Sequence, residues 1–212
     1  MSLPNSVASR PQVIDPECLN AGDIALFRMR APRLLQQRIE KTQLGIASAA
    51  HAKWTHAAVV GTGYRIAEMK GKGFSLGYLY EYDLATVEVT LRRMHGVSEE
   101  GRHEIYVNAM DLGRRFPDYG YVDLIGLLLA RNDRGRAATL LWPSRGLVCS
   151  ALCAKAIASV GYDIADGIDY RLVTPSDLSL AHRFDVIAPT TVTGSQLEEW
   201  WLDRRPRTWE TA

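Results

Sequence analysis

The chain has 212 residues, 47% hydrophobic and 23% charged, a composition typical of one soluble globular domain that is long enough to bury a core. Lysine and arginine number 25 and aspartate and glutamate 24, so the net charge is +1, which excludes an electrostatic argument for nucleic acid as a partner. The three cysteines, at positions 18, 149 and 153, are an odd number, which disfavours a disulfide framework and favours a reducing compartment.

The N-terminal segment has the composition of a tail. Residues 1–16 are the predicted tail, and residues 1–12 lack the basic start and apolar run of a secretion signal. The longest apolar stretch, residues 124–130, is too short to span a bilayer. We therefore expect a cytoplasmic protein, with export by a route that needs no cleaved signal left open, and a main domain over residues 17–190.

The C-terminal segment, residues 191–212, is a second predicted tail. It is polar but carries Trp200 and Trp201 close to several arginines. Aromatic and cationic side chains of this kind suit a lipid interface. They suit equally a contact with the chain's own domain, or with a second copy in a homo-oligomer, so the three partners stay open at this point.

The elements predicted along the chain define an α+β fold. Period-two alternation and turn residues predict strands over 24–27, 54–60, 64–69, 74–80, 86–91 and 184–187. Helical spacing predicts helices over 32–50, 98–116, 119–130 and 147–160, and a short helix in the segment 174–178. A charged loop is expected over 131–136. We expect a small antiparallel sheet that packs against these helices.

The hairpin predicted around residues 61–63 brings a histidine to a glutamate. With these three residues as the loop, Val60 faces Tyr64, and counting outward places His56 opposite Glu68. Opposed residues lie on one face with Cβ atoms about 4.5–5.5 Å apart, so the carboxylate can hold the imidazole in one tautomer and stabilise its charged form. An ordinary structural contact is the alternative reading, and a slip of one residue would move Glu68 to the other face.

The helix predicted over 147–160 has a cysteine, Cys149, in its first turn. Its apolar stripe consists of Cys149, Leu152, Cys153, Ala156, Ile157 and Val160. In the first turn, the helix dipole favours the thiolate of Cys149, and the backbone N–H of this residue can help to bind an oxyanion. The alternative is that Cys149 is a small core residue, which is our reading for Cys153.

Five segments occur in an order that resembles a known family. They are 22–27 (GDIALF), 55–60 (THAAVV), 67–68 (AE), 148–152 (VCSAL) and 174–178 (TPSDL). This order is similar to that of the circularly permuted NlpC-like, papain-like cysteine hydrolases, particularly the YiiX/YebB-like group, over roughly residues 20–190. The resemblance implies a permuted papain-like fold in which a small antiparallel sheet packs against the nucleophile helix. One departure is Ala151, which lies where relatives often have an acidic residue.

The resemblance also implies a site and a class of reaction. Its roles fall on Cys149 as nucleophile, His56 as base and Glu68 as the residue that orients the base. The implied enzyme is a thiol hydrolase, an amidase or endopeptidase that forms an acyl-enzyme on a peptide or cell-wall peptide. A lipid acyltransferase or thioesterase is one alternative, and a binding module with an inert thiol, in which His56 faces away from Cys149, is another.

The remaining expectations concern the cleft and its ligands. Thr55, Tyr64 and Trp142 are candidates to line the substrate cleft. A zinc ion at Cys149 and Cys153 would need two further ligands, and no nearby cluster of His or Cys supplies them. We therefore expect no metal and no cofactor, and the expected substrates are a peptide, a peptidoglycan fragment or a lipid.

Overall fold

An antiparallel sheet of six strands forms the centre of the computed structural model, which describes residues 12–129, 146–164, 167–187 and 191–193. In these residues the strands are β1 (Gln12–Ile14), β2 (Ile24–Met29), β3 (His56–Val60), β4 (Arg65–Lys70), β5 (Gly73–Tyr78), β6 (Val87–Met94), β7 (Phe184–Ile187) and β8 (Thr191–Thr193). The sheet has the order β5-β4-β3-β2-β6-β7. The prediction of an α+β fold with an antiparallel sheet is confirmed.

The helices lie between and after these strands. In the described residues they are α1 (Leu34–Gln43), α2 (Ala49–Ala52), α3 (Glu99–Arg115), α4 (Tyr121–Leu129), α5 (Cys149–Ala158) and α6 (Pro175–Leu180). In that part of the chain, no helix combines the length and the apolar character that crossing a bilayer requires. The charged loop predicted over 131–136 lies outside the described residues.

Both faces of the sheet are covered, which explains the continuous apolar runs of its central strands. The face toward α3 and α5 carries the buried side chains of Ala57, Val59, Ala67 and Met69. The opposite face carries those of Ala58, Val60 and Ile66, under Ile14 and Leu79. Helix α5 is thereby held in the core, which fixes the position of Cys149 at its first residue.

One helix predicted over 32–50 is two helices in the structure, α1 and α2, and the buried amide of Gln43 accounts for the break. Gln43 Nε2 donates to the carbonyl oxygens of Ala52 and Trp54 at 2.8 and 2.7 Å. Its Oε1 accepts from the backbone N–H of Ser176 at 2.9 Å. These bonds fasten the end of α1 to the residues that enter β3 and to α6, which a continuous helix could not do.

The β3–β4 hairpin differs from its predicted register by two positions. Ala58, not His56, lies directly opposite Glu68, and Val60 lies opposite Ile66. The loop has moved by one residue because Tyr64 belongs to the turn, with φ at 66°, while its ring is fully buried. Since side chains alternate with a period of two, Glu68 nevertheless stays on the face of His56.

The two predicted tails meet in the structure. Strand β1 lies within residues 1–16 and strand β8 within residues 191–212, and the two strands pair in an antiparallel two-stranded sheet. The predicted domain bounds at residues 16 and 190 thus each leave one strand on the tail side. Trp200 and Trp201 lie outside the described residues.

Helix α3 approaches the sheet closely at Gly113, and this contact can be tested. A Cβ built at Gly113 would lie 2.0 Å from a ring atom of Phe74 in β5. We expect Gly113→Ala to lower the free energy of unfolding by about 1–3 kcal/mol, since overpacking outweighs the roughly 1 kcal/mol that alanine gains in a helix. Chemical denaturation measures the change.

Gly101→Ala in the first turn of α3 is the matched control. A Cβ at Gly101 meets its nearest atom, a methyl carbon of Val97, at 3.0 Å. We expect this variant to be as stable as the wild type or more stable. Equal loss of stability in both variants would show that close packing at Gly113 is not what excludes alanine.

Candidate active site

His56 and Glu68 form the polar centre of the site. His56 is the first residue of β3, and its Nε2 lies 2.7 Å from Glu68 Oε2. The carboxylate is fully buried, whereas 22% of the imidazole is exposed. Glu68 therefore bonds to Nε2 from the protein interior. Nδ1 is the ring nitrogen that stays available to another group.

Two further side chains hold the Glu68 carboxylate. Tyr82 Oη donates to Oε2 at 2.5 Å, and Lys70 Nζ forms an ion pair with Oε1 at 2.6 Å. Burial alone would raise the pKa of Glu68, but the hydrogen bond and charge of His56, with the bonds from Lys70 and Tyr82, lower it below its usual value. Glu68 is thus an anion across the neutral pH range.

Aromatic packing fixes the imidazole from the side. The Phe27 ring lies 5.4 Å from the His56 ring and stacks on Tyr82 with centroids 4.3 Å apart. Phe27 is paired directly with His56 across β2 and β3. The rotamer of the histidine is therefore set by a neighbouring strand as well as by its carboxylate partner.

Cys149 is the first residue of α5 and is 4% exposed. Its sulfur interacts with His56 through a hydrogen bond and through charge, and it accepts from the backbone N–H groups of Ala57 and Ser150. The helix cap is Val148, whose side chain forms no capping hydrogen bond, so the N–H groups of the first turn remain directed at the site. A negative charge on the sulfur is stabilised from three sides.

The thiol and the imidazole form an ion pair. Burial raises the pKa of Cys149, but the charge and hydrogen bond of His56 and the two backbone donors outweigh it, so the pKa is lowered. Burial lowers the pKa of His56, but the charge and hydrogen bond of Cys149, and those of Glu68, raise it to about 9. The thiolate and imidazolium therefore coexist between these two pKa values.

Cys153 provides an internal comparison, because it lies one turn further along the same helix. It is fully buried in the core, which confirms the prediction of a core residue. Burial and the negative charge of Cys149 raise the pKa of Cys153 well above its usual value. Two cysteines four residues apart thus have opposite electrostatic environments, and Cys149 is the activated one.

The site lies at the first residue of β3, at one end of the strand. The apolar stripe of the helix alone would have placed Cys149 over the surface of the sheet. His56 shares the face of Ala58, whereas Cys149 packs with the opposite face. The sulfur meets the histidine where β3 begins, at the N–H of Ala57. A residue at the start of a strand can serve a partner on either side of the sheet.

Two cavities open at the site. One of about 40 Å³ is lined by Cys149 and, among the described residues, by Ile39, Thr42, Gln43, Thr55, Tyr119, Leu124, Leu127, Leu128, Val148, Ser150, Thr174 and Pro175. The other, of about 290 Å³, is lined by His56 with Phe27, Met29, Leu35, Gln36, Ile39, Thr55, Met69, Lys70, Gly71, Tyr82, Val87 and Tyr119. Ile39, Thr55 and Tyr119 form the wall that the two cavities share.

The structure brings four of the six expected site residues together. Cys149, His56 and Glu68 are in contact, and Thr55 lines both cavities. The prediction that Tyr64 lines the cleft is wrong. Tyr64 packs in the core on the other face of the sheet, and its hydroxyl donates to the carbonyl oxygen of Ile14. Trp142 lies outside the described residues.

Three residues of the site were missed by the sequence analysis. Lys70 had a signal, since it lies two positions after Glu68 on one strand and therefore on the same face. Tyr82 follows the turn after β5, and Tyr119 lies just before α4. At such positions outside a regular helix or strand, sequence periodicity does not predict where a side chain points. Burial and the charge of Cys149 raise the pKa of Tyr119, so its hydroxyl keeps its proton beside the sulfur.

Other polar clusters have structural roles. Arg93 donates to both carboxylate oxygens of the buried Asp23 at 2.9 and 2.7 Å. Ser179 joins His51 and Arg92, each at 2.8 Å. Within the described residues, no three His, Cys, Asp or Glu side chains are grouped so that they could hold a metal ion.

Comparison of the chain with protein-family models and with curated proteins assigns it to no family. No protein-family model matches the chain, and a search of curated proteins finds no significant match.

The ion pair predicts unequal labelling of the cysteines by iodoacetamide. Cys149 should be alkylated faster at pH 6.5 than an ordinary thiol, because the charge and hydrogen bond of His56 lower the pKa of Cys149 against its burial. In His56→Ala the rate at pH 6.5 should fall by up to about 100-fold, since a thiol of unperturbed pKa, about 8.5, is only about 1% thiolate there. Mass spectrometry of tryptic peptides measures each site, and Cys153 in the native protein should stay unlabelled. Equal, slow labelling of both cysteines would contradict the ion pair.

The contribution of Glu68 can be measured in the same assay. Glu68→Gln removes the negative charge, so the pKa of His56 should fall from about 9 and that of Cys149 should rise. We expect alkylation of Cys149 at pH 6.5 to slow by about tenfold for each unit by which its pKa rises. Glu104→Gln, an exposed carboxylate on α3, is the matched control and should leave the rate unchanged. An unchanged rate in Glu68→Gln would remove Glu68 from the site.

Proposed function

We propose that this chain is a cysteine hydrolase with a permuted papain-like fold that cleaves an amide bond, and that its substrate is a peptide or a cell-wall peptide. The observation that carries the proposal is the continuous chain of contacts from Glu68 to His56 to Cys149. Such a chain supplies what covalent thiol catalysis needs: a preformed thiolate, a proton donor and a fixed carboxylate that orients the donor.

Acylation follows from the ion pair. The Cys149 thiolate attacks the carbonyl carbon of the amide, so that a carbon–sulfur bond forms and the carbonyl oxygen becomes an oxyanion. Collapse of this intermediate breaks the carbon–nitrogen bond, and the proton on His56 goes to the leaving nitrogen. The products of this step are a thioester on Cys149, a free amine and a neutral imidazole held by Glu68.

Deacylation reverses the proton transfer. The neutral His56 takes a proton from water as the water oxygen attacks the thioester carbonyl. The carbon–sulfur bond breaks, the acid leaves, and the thiolate and imidazolium are restored. Glu68 stays ionised throughout, because its role is to stabilise the charged imidazole and to hold its orientation.

The oxyanion requires at least two donors. The N–H of Cys149 is one, since it belongs to the uncapped first turn of α5. Tyr119 is our candidate for the second, because it lines both cavities and retains its hydroxyl proton. The start of the helix and a half-buried phenol would then face the same developing charge.

The alternatives make different demands on the same site. A binding module with an inert thiol would have His56 turned away from Cys149, and the two residues are in contact. A lipid acyltransferase or thioesterase would use the same nucleophile with a different acyl group. The identity of the acyl group on Cys149 therefore separates the candidates.

An adduct experiment tests the proposal. We expect brief incubation with peptidoglycan-derived peptides, followed by acid quench, to add the mass of a peptide acyl group to Cys149, while longer incubation releases the hydrolysed acid. The adduct should be absent in Cys149→Ala and present in Cys153→Ala, because only Cys149 is activated. Intact mass and peptide mapping make the measurement.

Phospholipid vesicles provide the second arm of the experiment. A fatty acyl adduct on Cys149 from vesicles, with none from peptides, would contradict the peptidase proposal in favour of the acyltransferase. Absence of any adduct in both arms, together with slow alkylation of Cys149, would contradict thiol catalysis altogether.

A further inference from the structure

The two cavities assign positions to the two halves of a substrate. Attack by Cys149 leaves the acyl half bonded to the sulfur, whereas the amine half departs with the proton of His56. The acyl half must therefore extend into the cavity that Cys149 lines, and the amine half into the cavity that His56 lines. The wall of Ile39, Thr55 and Tyr119 separates the two directions.

Apart from the Cys149 sulfur itself, the described side chains that line the Cys149 cavity carry no charge. Among the described residues that line it there is no Asp, Glu, Lys, Arg or His. Two of its polar members bond within the protein: Gln43 makes three hydrogen bonds to backbone groups, and the Ser150 hydroxyl donates to the carbonyl oxygen of Val173 at 2.7 Å. A charged substituent placed there would lose its hydration and gain no partner.

The Cys149 cavity is also small. Its volume of about 40 Å³ is room for roughly three water-sized groups, at the 10–15 Å³ that one such group occupies on this measure. The His56 cavity, at about 290 Å³, is several times larger and carries the half-exposed ammonium of Lys70 at its side. The cavity beside His56 is therefore both the larger of the two and the one with a cationic side chain.

We infer that the acyl half of the substrate places a small, uncharged apolar group beside Cys149, of about one to three carbon atoms beyond the reacting carbonyl, and that the bulk of the substrate lies on the amine half. This inference rests on the proposed function and adds its specificity. In a peptide, the residue that supplies the carbonyl is therefore glycine or alanine, since the α-carbon counts as one of these carbon atoms.

Activated esters test the size limit without knowledge of the natural substrate. The probes are 4-nitrophenyl acetate, butanoate and octanoate. The Cys149 thiolate attacks the ester carbonyl, a carbon–sulfur bond forms, and the carbon–oxygen bond breaks as nitrophenolate leaves with its electron pair. The rate of nitrophenolate release, divided by the rate with 2-mercaptoethanol, gives the selectivity of the site, and the adduct mass on Cys149 confirms where the acyl group is attached.

We expect the normalised rates with acetate and butanoate to exceed that with octanoate by at least about tenfold, the discrimination that one misfitted methylene produces in an apolar pocket. Leu128→Ala enlarges the Cys149 cavity and should raise the octanoate rate relative to acetate. Thr42→Leu fills the same cavity and should lower the butanoate rate relative to acetate. Because the two variants act in opposite directions, loss of folding in one leaves the other informative.

Ile125→Ala is the matched control for Leu128→Ala. Both residues belong to α4, but Ile125 is 54% exposed and is not among the residues that line either cavity. Its ester profile should equal that of the wild type. Any shift equal to that of Leu128→Ala would assign the selectivity to helix stability and would overturn the inference.

Two outcomes separate the inference from the proposed function. A normalised rate that rises from acetate to octanoate would overturn the small acyl group and leave the thiol hydrolase in place. Acylation of Cys149 that is no faster in the wild type than in His56→Ala, with every ester, would overturn the proposed function itself.

Discussion

A carboxylate without contact to water is the constraint on which the rest of the site depends. Glu68 is fully buried within the sheet, and an isolated charge there would cost several kcal/mol. The fold offsets this cost with His56 from β3, Lys70 from β4 and Tyr82 from the segment after β5. Cys149 and Glu68 together raise the pKa of His56, and the charged imidazole in turn stabilises a thiolate at Cys149. The lowered pKa of Cys149 thus depends in part on Glu68, which acts on the sulfur through His56.

Sequence periodicity predicted more of the site than of its surroundings. His56 and Glu68 could be placed on one face because an error of two residues in register preserves the face. The helix start at Cys149 followed from its apolar stripe. Tyr64 could not be placed, because Gly61 and Gly63, which precede it, allow the hairpin loop to form at more than one position. Tyr82 lies after a turn, where direction depends on tertiary packing alone.

Cys149 and the residues that line the cavities beside it belong to different parts of the fold. Cys149 belongs to a helix packed into the core, whereas Ile39 on α1 and Leu128 on α4 belong to helices with solvent-exposed faces. Gln43 connects these layers by bonding α1 to the segment before β3 and to α6. Substitutions in the walls can therefore change which acyl group fits while the reacting atoms keep their positions, as is common where one scaffold supports several substrates.

The pairing of β1 with β8 has a consequence for how the chain folds. Gln12 lies beside Thr193, so this contact closes a loop that contains almost the whole sequence, and closing such a loop carries a large entropic cost before any contact is gained. Tyr64, in the turn of the β3–β4 hairpin, bonds to Ile14 at the end of β1. During synthesis, the hairpin can form early, but the strand it anchors has no partner until the last segment has emerged. The final ordering of this edge is thus a late event in folding.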